Sequence, residues 1–76
     1  MLDTEKELKE IGLKLKFLRK SSGYSNPDTF SYEKNINRSQ YGKYENGKNL
    51  TLSTLIKLLN IHKISLKDFF NLEIEA

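Results

Sequence analysis

The chain has no cysteine, one proline, one histidine and four glycines in its 76 residues. Without cysteine it can form neither a disulfide nor a thiolate metal site. No apolar run approaches the roughly 18 residues that a membrane-spanning helix needs. The opening Met1-Leu-Asp-Thr-Glu5 is acidic, which is unlike a secretory or transit segment. Catalytic parts are scarce as well: His62 has no evident Ser-Asp partners, and no pair of carboxylates is placed by a cleft. The inventory of metal ligands is poor, and no glycine-rich loop could cradle a phosphate. The sequence therefore points away from an enzyme and calls for no cofactor and no metal. It also lacks internal repeats, low-complexity segments and linkers.

What remains is enough for one small domain and too little for two. A hydrophobic content of 37% with 30% charged residues fits a compact helical chain rather than a disordered one. The net charge of +3 is unevenly spread. Residues 1–10 carry a net −2, residues 14–48 a net +5, and residues 49–76 balance at zero. A polyanionic partner is favoured by that central excess, although a charge run alone is more often a solvated face.

Hydrophobic spacing and capping residues predict helices throughout. Residues 4–22 have Leu8, Ile11, Leu15 and Leu18 on one stripe, acids near the start, and Arg19 and Lys20 near the end. Thr4 and Glu7 have the spacing of a capping box, and Gly23 closes the helix. Gly12 interrupts the stripe at up to about 1 kcal/mol against Ala, which a closely approaching helix would explain. Leu13 and Phe17 lie off the stripe; they broaden the buried face, are covered by the C-terminal tail, or offer a partner surface. Asn26 caps a second helix with Pro27 in its first position, running to about Lys34 and burying Phe30 and part of Tyr32. Asn35 can take the left-handed turn that follows. A fourth helix begins at Thr51 or Ser53 with Leu52, Leu55, Ile56 and Leu59 inward, flanked by Leu58 and His62. Ser65 caps a short fifth helix anchored by Phe69 and Phe70, and the tail from Asn71 could be a strand, a helix extension or a frayed end.

The third helix, Asn37 to Asn46, is the most informative stretch. Steps of 100° gather Arg38, Ser39, Gly42, Lys43 and Asn46 on one side and put Tyr41 and Tyr44 on the other. Asn37 with Gln40 forms a capping box, and Asn46-Gly47 gives a left-handed stop. An outer face of small and cationic hydrogen-bonding groups is what reading base edges in a DNA major groove requires.

In order and spacing, Leu18-Arg19…Gly23, Ile36-Asn-Arg-Ser-Gln-Tyr41, Tyr44-Glu-Asn-Gly47 and Ser65-Leu-Lys-Asp-Phe-Phe70 resemble the Cro/C1-type (XRE-like) helix-turn-helix domain of phage repressors and short bacterial regulators. The resemblance spans residues 11–70, leaving 1–10 as the start of the first helix and 71–76 as a tail. It implies an all-α, five-helix, lambda-repressor-like domain. By position it makes Arg38, Ser39 and Lys43 base-contacting, and Asn26, Asn37, Asn46 and Lys48 backbone-contacting; Gly42, whose missing side chain allows close approach to a base edge, joins the first set, and Gln40 the second. Arg19 and Glu45 correspond to a structural ion pair. The chain departs from the family pattern in an extra residue between Ser25 and Phe30, in Lys34 at a usually apolar site, in Asn35 for a turn glycine, and in His62 at an apolar position.

The implied function is sequence-specific binding of double-stranded DNA by a homodimer on an inverted repeat, regulating transcription in a bacterial cytoplasm, associated with the nucleoid when bound. Neither a membrane nor a small-molecule effector is called for. Candidate dimer surfaces are the residues after the fourth helix with Leu72 and Ile74, or the Leu13/Phe17 patch. The rival reading is a protein-interaction module of the same fold, such as an antitoxin that binds a partner toxin.

Overall fold

The computed structural model describes residues 1–74. Within them the chain forms α1 (Thr4–Ser21), α2 (Pro27–Glu33), α3 (Arg38–Glu45), α4 (Leu52–His62) and α5 (Leu66–Phe70), and no strand. Every helix opens on an extended residue whose side-chain oxygen accepts an amide of the first turn: Asp3, Asn26, Asn37, Thr51 and Ser65. Capping of this kind is typically worth about 1 kcal/mol per helix. At α1 the cap is Asp3 rather than Thr4, its Oδ1 accepting from Lys6 N at 3.2 Å. A carboxylate there also faces the positive end of the helix dipole. At α3, Asn37 Oδ1 accepts from Gln40 N at 3.0 Å, while the Gln40 side chain returns no bond, so one arm of the expected box forms.

Left-handed residues end or separate the helices. Gly23 and Gly47 sit at φ +94° and +93°, and Asn35 at +59° makes the bend between α2 and α3. Lys63, at +56°, ends α4 in the same conformation with no sequence signal for it.

All five helices supply the core: Leu15, Phe30, Tyr41, Leu55, Leu58, Leu59 and Phe69 are 0–3% exposed. Burying one such side chain contributes about 1.5–3 kcal/mol. Phe30 is the hub. The Tyr24 ring meets it edge-on at 5.3 Å, Tyr41 tilts against it at 5.1 Å, and His62 stacks parallel at 5.4 Å. Ser31, fully buried, donates its hydroxyl to Pro27 O at 2.7 Å.

Three expectations are corrected here, the first being that Phe70 anchors α5 with Phe69: Phe69 is fully buried but Phe70 is 49% exposed. Tyr32 is 79% exposed, because the hub already fills the inner side of α2. On α4, Leu52 (62% exposed) and Ile56 (39%) lie outward, and Leu58 joins Leu55 and Leu59 inside. The buried arc is turned by about 50° from the expected one. His62 falls near its centre, and its stacking on Phe30 explains the turn. Residues 72–74 form neither strand nor helix, with Leu72 packed against the core; the last two residues of the tail lie outside the described range.

Candidate nucleic-acid interface

The interface is built on α3. Tyr41 is fully buried and Tyr44 half-buried, which fixes one side of the helix to the body. On the other side Arg38, Ser39, Lys43 and Asn46 are exposed, with Gly42 between them. Asn37 and Gln40 are exposed at the helix start, Lys48 just past its end, and Asn26 at the start of α2. Nine residues assigned by sequence to base or backbone contact therefore lie at the surface; eight belong to α3 or its flanks, and Asn26 lies between Ser25 and Pro27, which share a cleft with Gly42 and Asn46.

Three devices hold α3 to the rest of the domain, the first two of them to α1. The first is Gly12, where a Cβ would come within 2.5 Å of Glu45 O and 2.7 Å of Tyr44 O. Only a residue without a side chain lets the two backbones meet so closely. The second is Arg19, which donates from Nε to Glu45 Oε2 at 2.7 Å and from Nη2 to Oε1 at 3.0 Å. Its Nη1 donates to Tyr24 O at 2.8 Å, so one guanidinium ties α3 and the α1–α2 connection together. The two side chains are only 3% and 7% exposed. Glu45 pushes the Arg19 pKa up against the opposing effect of burial. Removing either partner of such a pair leaves a buried charge uncompensated, at a cost of about 3–5 kcal/mol. The third device is Tyr41 itself. Its hydroxyl is buried without a hydrogen bond, and burial first, then the neighbouring Glu45, push its pKa up. It is a packing group with no titrating role near neutrality.

Gly42 differs from Gly12. A Cβ built on it would meet nothing within 4 Å, so the fold itself has no need of a glycine there.

A cleft runs along each side of α3. One, about 380 Å³, is lined by Gln40, Lys43, Tyr44, Lys48 and Asn49. The other, about 420 Å³, lies between α3 and α1; its walls include Lys16, Lys20, Ser25, Gly42 and Asn46, with Leu13, Pro27 and the Arg19–Glu45 pair completing it. Lys16, Lys20 and Asn49 were not singled out from sequence. In the sequence the two lysines count toward the central positive charge, Lys20 also as a base at the end of the first helix, and only the packing of α1 on α3 brings them beside the outer surface of α3.

Elsewhere, no group of His, Cys, Asp or Glu among the described residues could hold a metal ion, and no helix there is long and apolar enough to cross a membrane.

Two short helices joined by a sharp turn, the second locked inside and polar outside, define a helix-turn-helix protein. This chain belongs to the Cro/C1-type helix-turn-helix family of DNA-binding regulators: the family model described as Helix-turn-helix matches residues 15–69. No curated protein and no solved structure matches the chain significantly.

Proposed function

We propose that the protein is a sequence-specific regulator of transcription that binds double-stranded DNA as a homodimer on an inverted repeat, with residues 37–46 in the major groove. One observation carries the reading: the uncovered face of α3 holds Arg38, Ser39, Gly42, Lys43 and Asn46, while its other face is fixed by Tyr41 and Glu45. Arg38 suits bidentate donation to guanine O6 and N7, the commonest specific contact. Ser39 and Lys43 add hydrogen bonds to base edges, and bare Gly42 lets the helix backbone come close. Asn26, Asn37, Gln40, Asn46 and Lys48 serve as backbone contacts that set position and salt dependence.

A single domain of this size offers few base contacts, so two copies would read half-sites about one helical turn apart. Apolar surface for pairing exists in the groove of Ile56, Leu59, Ile64 and Leu66, and around Leu13, Leu72 and Ile74. The test is selection from a randomised duplex pool at physiological salt. An enriched inverted repeat is expected, and recovery of no motif would overturn the reading. A second reading, an antitoxin-like interaction module, draws on Leu13 and Phe17, which are 40% and 43% exposed. Tight binding to a protein partner together with failure of the selection would favour it.

A further inference from the structure

The two clefts beside α3 match what a helix in a major groove has on either side, namely one sugar-phosphate ridge per strand. On one side the ridge would meet Gln40 and Lys48, already proposed as backbone contacts. On the other side the backbone contacts proposed are Asn46 and Asn26, the latter between Ser25 and Pro27 of the cleft wall, yet the cleft there also holds two lysines of α1, Lys16 and Lys20. They are one turn apart on the same helix face and both exposed. Among the described residues neither takes part in an ion pair, the one such pair being Arg19–Glu45. That pair lines the same cleft and cancels its own charge, so the net positive charge of the cleft comes from Lys16 and Lys20.

From this juxtaposition we infer that Lys16 and Lys20 of α1 clamp the DNA strand that borders the groove on the α1 side, each neutralising a backbone phosphate. This rests on the proposal that α3 enters the major groove. Helix axes pack about 8–10 Å apart, and closer than usual where a glycine makes the contact. The major groove is about 12 Å wide, so a helix packed beside the one in the groove stands over its edge. Gly12 sets that separation. Ser25 and Asn46, from the α1–α2 connection and the end of α3, supply hydrogen-bonding groups in the same cleft, and Leu13 gives it an apolar wall against which a deoxyribose can lie.

The experiment measures how the affinity of the full chain for one fixed duplex, its selected site, depends on salt, for wild type, Lys16→Gln, Lys20→Gln and the double variant. Lys57→Gln on α4, which lines neither cleft, is the control, and Lys16→Arg should keep wild-type behaviour. Each phosphate contact contributes about 0.9 to the slope of log K against log salt. The slope should shrink by about one for each lysine removed and by about two for the double variant. The loss should be equal on selected and scrambled duplexes, with unchanged thermal melting of the free protein. Slopes that match wild type and the Lys57 control would overturn the inference while leaving DNA binding itself intact. A changed preference at one base pair would also overturn it, since it would make the lysine a base reader. If the wild-type chain bound no duplex at all, the proposed function and the clamp would fall together.

Discussion

Replacing Gly12 with alanine sets two predictable effects against each other. Inside an exposed helix the change would stabilise by about 1 kcal/mol through propensity alone. At this position the new methyl carbon would lie 2.5 Å from Glu45 O, 2.7 Å from Tyr44 O and 2.9 Å from Glu45 C. All three are backbone atoms, so no side chain can swing away. Relief requires α1 and α3 to separate, and a gap of 0.5–1 Å forfeits roughly a quarter to a half of the dispersion across the contact. The same movement draws Glu45 away from Arg19, whose Nε–Oε2 bond is 2.7 Å. Overpacking typically costs about 1–3 kcal/mol, and strain on the buried ion pair adds to it. With about 1 kcal/mol of strain on the ion pair offsetting the propensity gain, a net loss of about 1–3 kcal/mol is expected. For a domain of this size each kcal/mol moves Tm by about 4–8 °C, so Tm should fall by roughly 5–20 °C. Thermal and urea melts followed by circular dichroism measure this directly. A Tm equal to or above wild type would refute the close α1–α3 approach, and with it the placement of the cleft that holds Lys16 and Lys20.

Gly42→Ala should do the opposite to stability, raising it by about 0.5–1 kcal/mol because nothing occupies the space its methyl enters. Affinity for the selected duplex should nevertheless fall; a variant that is more stable and binds equally well would show that Gly42 has no part in close approach to DNA. His62 should make stability depend on pH. Burial, and then the charge of Lys34, lower its pKa from the usual 6.5 in the folded state. The unfolded chain therefore binds the proton first, and stability should fall as pH drops below about 6.5, levelling off beneath the folded pKa. Since Ser22 Oγ donates to Leu18 O, Nδ1 is the nitrogen that carries the hydrogen in the neutral ring, donating to Ser22 Oγ at 3.3 Å. Urea unfolding of wild type and His62→Gln at pH 7.5 and 5.5 checks this; the same acid-side loss in both proteins would assign it to other groups.

The five helices were legible because each start carries its own local signal. Asn26-Pro27, Asn37, Thr51 and Ser65 lie where the caps form. Gly12 was legible as a close contact because a glycine amid an apolar stripe needs a reason outside the helix. The errors arose where two local signals compete or where tertiary packing decides. Asp3 and Thr4 are both competent caps, and only the helix start itself discriminates. Tyr32 and Ile56 have the right spacing for burial, yet the space is filled by Phe30 and His62, from different helices. The faces of α3 could be read from periodicity because one helix contains them. The cleft with Lys16 and Lys20 could not, since it is made by two helices whose contact lies 26 residues apart along the chain at Arg19–Glu45.

Direct readout by the exposed face of α3 is tested most sharply by Arg38→Ala, assayed against the selected site and its full set of single-base variants at fixed salt. Arg38 is exposed and makes no contact that the fold depends on, so melting should be unchanged. A loss of about 1–3 kcal/mol on the preferred site is expected, with discrimination flattened at one base-pair position and retained at the others. The same loss on every duplex, with the preference intact at all positions, would contradict base reading by this face and leave Arg38 as a phosphate contact.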